Sequence, residues 1–189
     1  MSTASEVSIC SNALQRLGAD PIASFGENSR FAGPSANIWP TVRNMVLRAH
    51  PWNCATKRVI LAPLAEAPAF DYGYQFNLPT DWLKTVQVGR RNCPLTYQQE
   101  GRRILARVNT LPLVYIWENT NPGTWDDSLV EAAEILQAAA MAYLVTSSTS
   151  LRDSLNQEGQ FKLKVAKAID GQDQPPEEFG DSALTMARF

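Results

Sequence analysis

The sequence predicts an α+β protein: a bundle of about four helices, with a small antiparallel β-domain inserted between helices 2 and 3 and an extended C-terminal arm. Three observations carry that reading. Apolar residues recur at three- and four-residue intervals toward both ends of the chain. From Ala55 to Glu118 that period gives way to short runs between turn signals. Pro175-Pro176, set among acids, then ends the last periodic segment. The expected divisions are 1–54 for the N-terminal helices of the bundle, 55–118 for the inserted β-domain, 119–171 for the C-terminal helices and 172–189 for the arm.

Thr3-Ala-Ser-Glu6 has capping-box spacing, and Val7, Cys10, Ala13, Leu14 and Leu17 follow at helical intervals before Gly18, so helix 1 is expected over about Ala4 to Leu17. Helix 2, Ser29 to His50, carries Phe31, Ile38, Val42, Met45, Val46 and Ala49 on one stripe. Pro34 suits a first turn, whereas Pro40 has no N–H for an internal bond and is expected to start, kink or break the helix. Strands are expected at about Lys57–Leu61, Tyr72–Asn77, Lys84–Val88, Leu95–Gln98, Arg102–Val108 and Leu113–Glu118. The Pro-, Gly- and Asn-containing turns between them predict that consecutive strands are antiparallel neighbours. Ser128-Leu-Val-Glu131 has the spacing of a second capping box and opens helix 3, which is rich in alanine and ends near Thr146. Helix 4 runs from Leu151 to Gly171, with Gly159 a weak spot. The arm cannot form a core, yet it keeps Phe179, Leu184, Met186 and Phe189, which suits docking better than solubilising.

The length of 189 residues, with 44% hydrophobic and 19% charged, is that of one ordinary domain with a modest core and excludes a disordered chain. The N-terminus lacks a basic region ahead of Glu6, which argues against a secretory signal and for the cytoplasm. The unbroken apolar run Ala138–Val145 is far short of the roughly 20 residues of a membrane span, so no membrane partner is expected. Cys10, Cys54 and Cys93 form no C-x-x-C pair and read as reduced thiols. Charge is unevenly spread: Lys84 to Arg107 holds six basic residues and one acid, while Glu118 to Asp181 holds twelve acids and four bases. Separated signs suit a chain that meets its own copy head to tail, or faces a polyanion with one side.

Little in the sequence suggests catalysis. His50 is the one histidine, and Pro51 breaks the helix between it and Cys54. Asp126-Asp127 lies at a helix start and Glu177-Glu178 in the arm, so neither reads as a converging carboxylate pair of a hydrolase. No glycine-rich phosphate loop occurs. The expectation is a protein that is not an enzyme and takes no cofactor or metal. Arg90, Arg91, Arg102 and Arg103 fall in or beside successive turns, with Tyr97 between them in the chain, a cluster able to touch phosphates without reading bases. That leaves a non-specific nucleic-acid-binding module as the alternative.

Three segments, Glu6-Val-Ser-Ile-Cys-Ser-Asn-Ala-Leu-Gln-Arg-Leu-Gly18, Leu47-Arg-Ala-His-Pro-Trp-Asn-Cys-Ala55 and Tyr74-Gln-Phe-Asn-Leu-Pro-Thr-Asp-Trp-Leu83, with Asp127 to Ala142 and Ala166-Lys-Ala-Ile-Asp170 after them, make the chain resemble the tail tubular protein A family. These are head-to-tail adaptors of short-tailed bacteriophages and their relatives. The resemblance covers nearly the whole chain except the arm, and its specificity lies in the order of the segments. It implies a structural virion protein, assembled in the host cytoplasm as a twelvefold cyclic homo-oligomer. Such a ring docks on the portal protein and continues the DNA channel toward the tail nozzle or tail tube protein, with packaged DNA passing through the lumen without sequence recognition. In that setting Arg90, Arg91, Arg102 and Arg103 would face the channel or a neighbouring subunit, and Phe179, Leu184, Met186 and Phe189 would dock on the portal or a neighbour. Pro34 and Pro40 depart from the family pattern in helix 2.

Overall fold

The computed structural model describes residues 4–91 and 93–173. Helices α1 (Glu6–Arg16) and α2 (Ala32–Arg48) precede strands β1 (Thr56–Leu61), β2 (Tyr74–Asn77), β3 (Trp82–Arg90), β4 (Cys93–Pro94), β5 (Tyr97–Glu100), β6 (Arg103–Ala106) and β7 (Leu111–Trp117), and helices α3 (Asp127–Thr146) and α4 (Thr149–Gln172) follow. The α+β class and the insertion between α2 and α3 are as the sequence predicts. Phe179, Leu184, Met186 and Phe189 lie outside the described residues.

Several local details differ from expectation, each for a physical reason. The first capping box is built by Ser5 and Ser8: Ser8 N–H donates to Ser5 Oγ at 3.1 Å, and Ser5 N–H to Ser8 Oγ at 2.8 Å. Glu6 is thereby left to pair with Arg43 Nη1 at 2.6 Å. Helix α2 runs unbroken through Pro40. The proline is exposed, while Trp39, Val42 and Val46 on the other face are buried, and their burial outweighs the lost backbone bond. Asp126, not Ser128, caps α3, accepting Ser128 N–H at 2.9 Å. Helix α4 starts at Thr149, with Ser148 accepting Leu151 N–H at 3.2 Å. Helix α4 runs unbroken through Gly159, which is buried, and a Cβ there would lie 2.7 Å from Leu136 Cδ2 and 2.8 Å from Leu136 Cγ. Glycine is what lets α4 approach α3 so closely.

The strands form two antiparallel sheets, in the orders β1-β7-β3-β4 and β2-β6-β5. Consecutive strands are thus neighbours only at β3–β4 and β5–β6, contrary to the expected meander. The segment between β1 and β2 is too long and proline-rich for a hairpin, with Pro63 and Pro68 in it. The strands that open and close the insertion pair with each other instead, from Thr56 opposite Ile116 to Leu61 opposite Leu111. The single strand expected at Leu95–Gln98 is two short ones, because the chain passes from one sheet to the other just after Pro94.

Two cores result. In the bundle, Ile9, Leu14, Trp39, Leu47, Leu129 and Ile135 pack around α3. Phe76, Val88, Ile104, Leu111, Leu113 and Tyr115 fill the space between the two sheets. Helix α3 is long and apolar enough to cross a membrane by composition alone, with a mean hydropathy of 1.4, but 61% of that stretch is buried in the protein, as befits a core helix.

Candidate functional site

Alternation along the strands places Leu111, Leu113 and Tyr115 of β7 inward; on the opposite face of the four-stranded sheet Ile116 is buried against the bundle, and the rest of that face is open. On that face Arg58 stands opposite Val114, and Ile60 opposite Pro112. With Val86, Arg90 and Arg91 they line a groove of about 840 Å3 that begins at Pro51, Asn53 and Thr56, beside the bundle. The floor is aliphatic and exposed, Ile60 at 70% and Val86 at 43%. The groove's lining contains three arginines and no acid. Arg58 and Arg90 are exposed and make no side-chain hydrogen bond or ion pair among the described residues. Chemically, this face offers apolar contact flanked by cations, which fits an extended acidic and apolar ligand or a polyanion.

The other two predicted arginines are placed elsewhere. Arg102 donates to the carbonyls of Pro79 and Thr80 and lies over the Trp82 ring at 5.9 Å. Arg103 donates to Gln75 Oε1 at 3.0 Å and borders a second groove whose lining includes Glu66, Asp71 and Glu100. The four arginines therefore do not form one cluster: Arg90 and Arg91 share the basic groove, while Arg102 and Arg103 bind the protein's own oxygens. Arg58 was not anticipated. Its signal was present in the two-residue alternation that puts it on one face with Ile60.

Where the β-domain meets the bundle, several side-chain contacts fasten it. Asp170 of α4 accepts Asn53 N–H at 3.0 Å through Oδ1, and its backbone carbonyl accepts Asn53 Nδ2 at 3.1 Å. Asn119 Nδ2 donates to the Cys54 carbonyl at 2.8 Å, tying the strand that leaves the sheet to the turn that enters it. Arg48 donates to the Leu83 carbonyl, and Arg43 bridges Glu6 and Glu118. His50 Nε2 sits 3.4 Å from Asp170 Oδ2, close enough to pair when the ring is protonated but without hydrogen-bond geometry. Burial, reinforced by Lys167 and Lys84, holds the His50 pKa below its ordinary value against the pull of Asp170. Burial raises the Asp170 pKa, with Asp173 and Asp126 adding to it and the Asn53 bond and His50 opposing it. Burial also pushes the Cys10 and Cys54 thiols up to about 12, which leaves both unreactive. His50 and Cys54 thus belong to the joint between helix and sheet. Among the described residues, no three His, Cys, Asp or Glu side chains gather as a metal site.

Searches against protein-family models and curated proteins find no match for this chain.

Proposed function

We propose that this chain is a structural virion protein, the head-to-tail adaptor of a short-tailed bacteriophage. In this reading it is one subunit of a cyclic, dodecameric homo-oligomer that docks on the portal protein in the neck and connects the DNA exit channel to the tail nozzle or tail tube protein. The observation that carries the proposal is the order of the segments Glu6–Gly18, Leu47–Ala55, Tyr74–Leu83 and Asp127–Ala142 along the chain. The architecture supports it, because those segments are α1, the joint between bundle and sheet, β2 with the start of β3, and the core helix α3. A ring closed by rotation needs two unlike surfaces on each subunit. The arginine-lined sheet face and the acidic C-terminal half are such a pair.

The test is to mix the chain with the portal protein and separate the products by size. Wild type should co-migrate with the portal. The double variant Arg90→Glu and Arg91→Glu should keep the subunit folded and reduce ring growth on the portal, since exposed charges contribute little to stability. Failure of wild type to bind the portal would overturn the proposal. The groove's three arginines favour one other reading, a non-specific nucleic-acid-binding module. For that role, affinity of the isolated subunit for duplex DNA should fall with a log–log salt slope of about −3, one phosphate per arginine. The adaptor reading expects little affinity before assembly.

A further inference from the structure

The basic groove begins where the described chain ends. Asp170 is hydrogen-bonded to Asn53, Asn53 lines the mouth of the groove, and α4 stops two residues later at Gln172. The segment that follows, Gln174 to Phe189, has Glu177, Glu178 and Asp181 against a single base, Arg188, and includes Phe179 and Leu184. The groove has the complementary composition: Arg58, Arg90 and Arg91 around Ile60, Val86 and Val114, with no acid in the lining. Spacing agrees as well. At about 3.3 Å per extended residue, Glu177 and Glu178 reach roughly 13 to 17 Å past Asp173. The groove floor along β1, from Thr56 to Ile60, covers about 13 Å.

We propose that residues 174–189 dock in the groove of their own chain in the free subunit, with the Glu177 and Glu178 carboxylates against Arg58, Arg90 and Arg91 and Phe179 on the Ile60–Val86–Val114 floor. A tethered segment needs little intrinsic affinity for this, because a short linker holds it at an effective concentration in the millimolar range. The docked arm covers the free sheet face until a partner competes for the arm or for the groove. This inference concerns the isolated subunit and stands whether or not the chain joins a phage ring.

Cys93 provides the probe. It is exposed, it pairs with Arg90 at the rim of the groove, and Cys10 and Cys54 are held protonated by burial. A nitroxide on Cys93 of the full-length protein should broaden the amide signals of Glu177 to Leu184. The broadening should persist when labelled chains are diluted in excess unlabelled, isotopically silent protein, which identifies contact within one chain. It should be lost in the Arg58→Glu, Arg90→Glu variant, and also at about 1 M salt, where the screening length is about 3 Å. Unbroadened arm signals would overturn the proposal. So would broadening that disappears on dilution, which would place the arm on a neighbouring copy, or broadening indifferent to both charge reversal and salt.

Discussion

The bundle and the four-stranded sheet treat their apolar residues in opposite ways. In the bundle, α3 is packed against α1, α2 and α4, and even its glycine contact, Gly159 on Leu136, leaves no room for a methyl group. The sheet buries one face against β2 and β6 and leaves Ile60, Val86 and Val114 on the other with three arginines around them. The first region is complete within one chain, so its residues answer to packing. The second has an aliphatic surface that its own described residues do not cover, the kind of surface that recognition uses.

Substitutions should separate the two regions by size of effect. Trp39 is 1% exposed in the bundle core, and Trp39→Ala should cost about 3–5 kcal/mol of stability, read as a drop in denaturant midpoint at unchanged slope. Gly159→Val should follow at about 2–3 kcal/mol, since the new side chain must displace Leu136; a neutral result would mean that α3 and α4 have slack. Ile60→Ser should change stability by no more than about 0.5 kcal/mol. A loss of several kcal/mol from Ile60→Ser would show that the face is packed as tightly as the bundle core and would break the contrast.

A smaller effect should appear with pH at the joint. Burial lowers the His50 pKa, so as pH falls the unfolded chain takes up the proton before the folded one, and stability declines through histidine's ordinary pKa of about 6.5. The decline levels off once the folded ring is protonated too. Asp170, raised by burial, acts with the opposite sign at more acid pH, because there the folded carboxyl binds its proton first. Melting temperatures between about pH 7.5 and 5.5 should therefore fall more for wild type than for His50→Gln. Equal slopes would remove His50 from the account.

The elements were legible where local chemistry decides them. Helical spacing located α1 to α4 to within a few residues, and turn residues marked off most of the strands. What escaped was decided at long range. Nothing local in Thr56 or Ile116 says that the first and last strands of the insertion pair, and nothing in Gly159 says that Leu136 lies against it. Pro40 misled because its local cost is real but smaller than the tertiary gain from Trp39 and its neighbours. The arginines were half legible: adjacency in sequence found Arg90 and Arg91, but it could not show that Arg102 and Arg103 turn toward protein oxygens. Arg58 was hidden because its partners in the groove come from β3, across β7.

As proposed above, this chain is an adaptor subunit that closes into a ring on a portal. Native mass spectrometry of the purified chain at micromolar concentration, alone and then with portal protein, tests it most directly. Mainly monomer is expected for the chain alone, and a ring of chains bound to the portal in the mixture. Stable closed rings of the isolated chain, or a mixture in which chain and portal keep their separate masses, would contradict it.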